Sequence, residues 1–401
     1  MANEHPKVKK QKARFWIAAG ALSLLLLIAG AWFVARQSRP LRISAAGLSE
    51  SSSKVLAAYM MRQGWLGRKA ALVGPEGVEP VDGSVPDIRI ASWTGSPVSD
   101  EVSVFDGISV GSMPGSIQAI GLGKDGDRLA LPIALDHVEL AFRRDLFARN
   151  GLVVENRIVS FSDLNTVLHA MVAKDFFPLL VAGGDDRALL DFLAVLVVSM
   201  GGLGAYEAAE KSLSTFDWQN GGLPAGLSAI PALRDALDWM RTWKRDGVLH
   251  PEWLAFRASD VLSIARLRLT ASCVMRLSEH RQWPVGVLQN WQASPFPFRD
   301  PQVAGSALLA PVVVVMVPRA GRYAKKLVPL VAEFSGEVFQ ETVVQDWGLA
   351  PVLGNAEALD RESGDLRFWA AASRRLLPGW DAELSGKSMK LFSEAVRIAL
   401  R

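Results

Sequence analysis

The sequence predicts an α/β architecture of two lobes behind a single N-terminal transmembrane helix, and three observations predict it. Short apolar runs of strand length alternate with amphipathic stretches, the pattern of sheets covered by helices. The chain has 401 residues, more than one ordinary core organises, so two bodies of roughly 150–200 residues are expected. The run from Phe15 to Ala35 carries no charge. At 1.5 Å per residue it spans roughly 30 Å, one bilayer core.

The flanks of that run set its orientation. Lys7, Lys9, Lys10, Lys12 and Arg14 precede it, and the smaller group Arg36, Arg39 and Arg42 follows. The excess of positive charge before the run leaves residues 1–14 in the cytoplasm and places everything after residue 40 on the periplasmic side of the cytoplasmic membrane. Trp16 and Trp32 stand near its two ends, where indoles prefer the interface. Ala29-Gly30-Ala31 fits a cleavage site, so a removed signal peptide is the rival reading. The length of the run, which continues through Trp32, Phe33 and Val34, favours an uncleaved single-pass anchor over residues 15–35. Cys273 is the only cysteine, so lipidation at the end of the run, an intramolecular disulfide and a thiolate metal cluster are all excluded. Lys and Arg number 44 against 41 Asp and Glu, a formal charge of +3. So small an excess is a solvated surface and argues against nucleic acid as a partner.

Within the exported part, Leu41 to Ala46 reads as a first strand and Ser53 to Gly64 as a helix, with Val55, Leu56, Tyr59 and Met60 at helical spacing. Pro75 to Pro86 is a loop rich in Gly, Pro and Asp. Ile88 to Ser92 is a strand ending at Trp93, and Leu129 to Ile133 is another. Ala188 to Met200 is a strongly apolar helix closed by Gly201-Gly202. Pro231 to Asp246 is an amphipathic helix, with Pro231 in its first turn and Gly247 at its stop. Val312 to Val317 is almost wholly β-branched, which suits a parallel strand buried on both faces. Tyr323 to Trp347 is one or two helices, interrupted or restarted at Pro329.

Several chemical motifs match by letter and fail by context. Gly121-Leu122-Gly123-Lys124-Asp125-Gly126 has the dinucleotide glycine pattern, but a strand rather than a helix follows it, so it reads as a turn. Gly107-Ile108-Ser109-Val110-Gly111 has the spacing of a hydrolase elbow, but Ser112-Met113-Pro114-Gly115 cannot open the helix an elbow needs. Ser51 and Lys54 have the Ser-x-x-Lys spacing without a following Lys-Thr-Gly. No two of His5, His137, His169, His250 and His280 have metal-helix spacing. His137 with Glu139 is too few ligands for a metal, and Asp185-Asp186 lacks the repeated oxygens of a calcium loop. No enzyme activity, metal or cofactor is expected.

The stretch Leu131-Pro132-Ile133-Ala134-Leu135-Asp136-His137-Val138-Glu139-Leu140-Ala141-Phe142-Arg143-Arg144-Asp145-Leu146-Phe147, closed by Gly151, resembles a segment of the maltose-binding-like, family 1 extracellular solute-binding proteins. Ser160-Phe161-Ser162-Asp163-Leu164 is similar to that family's Thr-Trp-Asp-Glu-Leu helix opening. Trp239 to Leu249, Val261 to Met275 and Tyr323 to Leu353 resemble later segments in the same order, so the resemblance runs over roughly residues 41–400. Phe142-Arg143 replaces the family's aromatic-Asn pair, and Leu277-Ser278-Glu279-His280 replaces its Gly-Pro-Trp.

The resemblance implies a two-lobed periplasmic-binding-protein-like fold of type II. Lobe I would take residues 41–136 and 303–347, and lobe II residues 137–302 and 348–401. It implies the extracytoplasmic solute-binding component of an ABC-type importer, with permease subunits and a small polar solute, a sugar foremost, as partners. A protein that keeps the fold for a structural or sensory role without a transported ligand is the alternative. Asp136 stands where the family places an acidic ligand-binding residue, although a turn or capping role competes. Trp93, at its strand end, is a candidate for the cleft mouth or for the core. Asp185 and Asp186 lie between a strand and a helix, where capping competes with ligand contact. Glu279 and His280 are candidates for a polar cleft wall, and Trp380 completes the set.

Overall fold

The computed structural model describes residues 40–45, 70–73, 85–95, 101–105, 110–151, 160–172, 176–214, 230–344, 346–358, 360–384 and 386–401, with a few isolated positions between these blocks. The apolar run 15–35, its basic flank, Ser51, Lys54, Gly107 and Ser109 lie outside the described residues.

In chain order the strands are β1 (Leu41–Ser44), β2 (Ala70–Val73), β3 (Ile88–Ser92), β4 (Leu131–Leu135), β5 (Val138–Arg143), β6 (Val153–Val154) and β7 (Arg157–Ile158). They continue as β8 (Phe177–Leu180), β9 (Thr270–Arg276), β10 (Trp291–Pro295), β11 (Leu308–Leu309), β12 (Val312–Met316) and β13 (Leu376–Leu377). The helices used below are α1 (Gly115–Gln118), α2 (Arg144–Arg149), α3 (Phe161–Val172), α4 (Asp186–Ser214), α5 (Pro231–Arg245) and α6 (Ala258–Arg266). After them come α7 (Leu277–His280), α8 (Val285–Leu288), α9 (Ala324–Val331), α10 (Arg361–Ala372), α11 (Trp380–Glu383) and α12 (Gly386–Leu400).

Two sheets organise the molecule. The first has the order β2-β1-β3-β12-β4, and the second the order β10-β5-β9-β8. β6 with β7, and β11 with β13, form small two-stranded pairs. Each main sheet has apolar clusters on both faces. On the first, Val313, Val315 and Val317 face one cluster, and Val312, Val314 and Met316 the other. On the second, Val138, Leu140 and Phe142 face one cluster and Ala141 the other. This alternation is the two-residue period of a strand carried through a sheet covered on both sides.

The run from Val312 therefore has the burial its composition predicts, but not the direction. β12 is antiparallel to both of its neighbours, β3 and β4. Cover on both faces, not strand direction, is what selects an unbroken β-branched run. The chain reaches β12 from the second sheet, so it enters the first from the opposite end to β1 and β3.

The apolar helix that opens α4 closes at Gly201-Gly202 as its glycines predict: Gly202 is non-helical (φ 63°, ψ −156°), and a second helical segment continues across the kink to Ser214. A side chain at Gly202 would meet Val303 Cβ at 2.8 Å and Ser306 Oγ at 2.9 Å, so the bend lets the 303–306 segment pass close to the helix. α4 is long and apolar enough to cross a membrane, but 72% of its most apolar window is buried inside the protein. It is the core helix of the second sheet, packed on α5, α11 and α12. α5 forms as its spacing predicts, with Pro231 in the first turn and Leu233, Ala236, Leu237, Met240 and Trp243 buried. Pro329 lies inside α9 without ending it. The interruption falls later, where a 3-10 turn over Ala332–Ser335 ends at the extended Gly336.

The chain passes between the sheets three times. It goes out through Leu135 to Val138, back through the segment from Pro295 to Val312, and out again after Ala350. Beyond this last passage α10 touches both α1 beside the first sheet and β10 of the second. α11 and α12 then pack on α4.

Candidate functional site

Four chain segments are pinned together where the two sheets meet. Leu135 and Ala350 exchange backbone hydrogen bonds at 2.8 and 2.9 Å, and the Asp136 amide donates to Pro311 O at 2.9 Å. Leu277 N donates to His137 O at 2.9 Å. Asp136 is the knot in this arrangement. Its Oδ1 accepts from the amides of His137 (2.9 Å) and Ser278 (3.1 Å), and its Oδ2 accepts from Ser278 Oγ at 2.8 Å. The side chain is 6% exposed, and it ties the first crossing strand to the opening turn of α7. The capping role weighed from sequence is present, directed at a helix 142 residues away in sequence.

The end of the second sheet nearest this crossing carries charge on both faces. On the face of the larger cluster, Arg276 at the end of β9 is buried between two carboxylates. Its Nε and Nη2 donate to Asp191 at 2.7 and 2.9 Å, and Nη2 also donates to Asp381 at 2.7 Å. The two carboxylates hold the guanidinium protonated against the burial that opposes its charge. Asp191 comes from α4 and Asp381 from α11, so the triad fastens the C-terminal segment to the sheet. Gly379 is what admits it. A Cβ there would meet Asp381 Oδ1 at 2.2 Å, Arg276 Nη2 at 2.6 Å and Asp191 Oδ1 at 3.0 Å.

On the opposite face, Glu139 points into a thin layer that contains Met275, Trp283 and Trp291. His280 Nδ1 lies 2.6 Å from Glu139 Oε1, with both residues buried. His137 Nδ1 is 4.0 Å from Glu139 Oε2. Among the described residues, neither ring nitrogen of His137 has a hydrogen-bond partner, nor does Nε2 of His280. Full burial pushes the His137 pKa down to about 3, so the ring is neutral at physiological pH. The His137 ring lies 5.5 Å from the Trp369 ring of α10.

The other residues singled out from sequence fall around this crossing in different roles. Trp93 is half-buried, donates its backbone amide to Val312 O at 2.8 Å, and packs against the apolar cluster beside β12. The Asp185 carbonyl accepts the Leu189 amide at the start of α4, while its side chain accepts from Ala258 N at 2.9 Å and so caps α6. Asp186 pairs with Arg397 of α12 at 2.8 Å. Glu279 pairs with Arg187 at 2.5 Å, and both are partly exposed. Trp380 is wholly buried and stacks on Tyr206 with ring centres 5.6 Å apart. Its indole belongs to the core around α4, not to a surface.

Sequence reasoning did not single out Arg276, Asp191, Arg187 or Arg281. Arg281 follows α7 and reaches across to the Leu349 carbonyl at 2.9 Å and to Asp360. A signal was present for Asp191. It is a lone carboxylate in the apolar run Leu189 to Val198, where an unpaired charge would be prohibitive and a buried cation is implied. Among the described residues, no group of three or more His, Cys, Asp or Glu is placed to hold a metal.

No family model matches the sequence, and no curated protein matches it. Solved structures do match. The putative binding protein MsmE from Bacillus subtilis, in an open conformation, superposes with a TM-score of 0.68 at 14% identity, over 91% of this chain and 93% of its own. The bacterial solute receptor AcbH, described as exclusive for β-D-galactopyranose, gives 0.65 at 11% identity, over 90% and 98%. The sugar-binding protein MalE from Xanthomonas citri gives 0.61 at 14% identity, over 90% and 97%. The fold is therefore that of the two-lobed, maltose-binding-like solute receptors, as the segment around Asp136 implies.

Proposed function

We propose that this protein is the extracytoplasmic solute-binding component of an ABC-type importer and performs no catalysis. It captures a carbohydrate or a similar polar solute between its lobes and presents it to permease subunits. The observation that carries this reading is the crossing at Asp136. Two sheets with separate cores are joined there by three passages of chain, the arrangement a hinge needs, in a fold shared with receptors for sugars such as β-D-galactopyranose. Lobe I takes residues 41–136 and 303–347 and lobe II residues 137–302 and 348–401, with α10 touching both.

In this reading the solute meets Trp93 from the first lobe and Glu279, Asp185 and Asp186 from the second. An indole face suits the apolar face of a sugar, and carboxylates suit its hydroxyls. Arg187 orients Glu279 through their ion pair. Asp136, His280 and Trp380 support this wall from behind. The body is tethered on the periplasmic side of the cytoplasmic membrane by the helix 15–35, which keeps it at high local concentration near a permease.

Titration of the full chain in detergent with galactose and oligosaccharides, followed by tryptophan fluorescence, tests the reading. A saturable change without turnover is expected, weakened about tenfold or more in Glu279→Ala through the loss of charged hydrogen bonds. No response to any saccharide, or release of product, contradicts it.

A further inference from the structure

The pole of the second sheet far from the crossing carries a basic pocket that the transport reading does not use. β5 runs away from Asp136, so Arg143 at its end stands at this pole. Arg143, Asp145, Arg266, Arg268, Asn290 and Trp291 line a cavity of about 220 Å³. Asp145 is engaged by Arg143, whose Nη2 donates to it at 2.9 Å. Arg266 and Arg268 are exposed and make no ion pair among the described residues. Arg144, also exposed, is next to Arg143. The pocket thus holds more positive charge than its one carboxylate neutralises.

Two further features set it apart from an ordinary solvated surface. Arg268 has φ 60° and is the one non-glycine residue among those described with a positive φ. It takes the position after α6 where glycine is the low-cost residue, and strain of this kind is retained mainly at functional places. Its carbonyl accepts from Arg143 Nη1 at 3.3 Å, which fixes the two arginines relative to each other. Between the lining Arg266 and Arg268 stands Leu267, 68% exposed, and next to the lining Gly286 stands Val285, 71% exposed. Large exposed aliphatics beside unpaired arginines make a surface that fits a charged headgroup above an acyl layer.

We infer that this pole binds the phosphate headgroups of anionic lipids, with Arg266 and Arg268 on the phosphate and Leu267 and Val285 in the lipid interface. The inference rests on the reading that the chain works at a membrane face. Strand directions give it a geometric consequence. β1 is parallel to β3, and β3 and β4 are both antiparallel to β12. β1 therefore runs towards the crossing, and Leu41 begins at the far pole of the first sheet. A tether before Leu41 and a lipid contact at Arg268 hold the two opposite poles at the bilayer, laying the long axis along it with the crossing midway.

The test uses the full chain carrying Val285→Cys, labelled with an environment-sensitive fluorophore; native Cys273 is buried. The chain is reconstituted in vesicles of phosphatidylcholine alone or with phosphatidylglycerol. A blue shift that grows with the phosphatidylglycerol fraction is expected. Adding Arg266→Glu and Arg268→Glu should require about tenfold or more anionic lipid for the same shift, with the saccharide response of the protein unchanged as a check on folding. No shift with anionic lipid, or an equal shift in the double charge reversal, overturns the inference. So does the same shift produced by inorganic phosphate over phosphatidylcholine, which assigns the pocket to a free anion, or by an acidic peptide alone, which assigns it to a protein partner. Retention on phosphatidylcholine vesicles after an alkaline wash reports the tether separately, so failure of the anchor is distinguished from failure of the pocket.

Discussion

The two faces of the second sheet, at the end where it meets the first, solve the problem of buried charge in opposite ways. On one face Arg276 donates to Asp191 and Asp381 at 2.7 to 2.9 Å, closing a triad around the bare α-carbon of Gly379. On the other, Glu139 holds His280 at 2.6 Å, while His137 has both ring nitrogens unpartnered against Trp369. A buried charge with every strong partner in place is a fastening that resists change. A buried imidazole without partners is neutral only as long as protons stay scarce. The first face therefore sets how firmly the C-terminal helices hold to the sheet. The second is the face that responds to conditions, and it lies against α10, the helix that touches both lobes.

Breaking the fastening should have the largest effect. Arg276→Met removes the hydrogen-bonded cation shared by the buried Asp191 and the part-buried Asp381 and should cost about 3–5 kcal/mol in urea unfolding. Converting all three residues to apolar ones should restore most of that stability, because the lone charges, not the missing pair, carry the cost. Gly379→Ala should cost about 1–3 kcal/mol by the same measurement, since a methyl group overlaps the guanidinium and both carboxylates.

The effects on the other face should be smaller. Glu139→Leu should cost about 1–3 kcal/mol, because it removes the acceptor that His280 meets in a buried site. Glu139→Gln keeps an acceptor oxygen and should cost less. His137→Phe should change stability at pH 7 by no more than about 1 kcal/mol, since it exchanges one neutral ring for another. Its signature is in pH instead. The folded pKa of His137 is lowered by burial from 6.5 to about 3. Between those values the unfolded chain binds the proton and the folded chain does not, so stability is present above pH 6.5 and falls as pH drops towards 3, by about 1.4 kcal/mol per unit. His137→Phe should flatten that part of the profile, and an unchanged slope would contradict the assignment.

Much of the fold was legible in the sequence because it follows from period and punctuation. The alternation of strands and helices gave the class, Pro231 and the spacing of Leu233, Leu237 and Met240 marked α5, and the unbroken Val312 run marked a strand covered on both faces. Direction was not legible there, because a strand covered on both faces shows the same composition whichever way it runs. The stop at Gly201-Gly202 was legible too, but the second helical segment that follows the kink was not, because the close pass of Val303 that accompanies it lies far on in the chain. At the crossing, the segment around Asp136 was found from its resemblance, but its partner Ser278 lies 142 residues on, beyond the reach of any local pattern. Trp380, which follows Pro378-Gly379 and is a cleft candidate from sequence, is wholly buried. That glycine instead serves the triad, and the indole lies against Tyr206.

The central claim is that the lobes pivot at Asp136 and close on a polar solute. Small-angle scattering of the full chain in detergent, with and without a saturating saccharide chosen by the fluorescence titration, tests it most directly. A smaller radius of gyration is expected with the sugar bound, and in Glu279→Ala the same compaction only at about tenfold or more higher sugar concentration. Scattering profiles that coincide with and without a bound sugar would contradict it, leaving a two-lobed body that does not close.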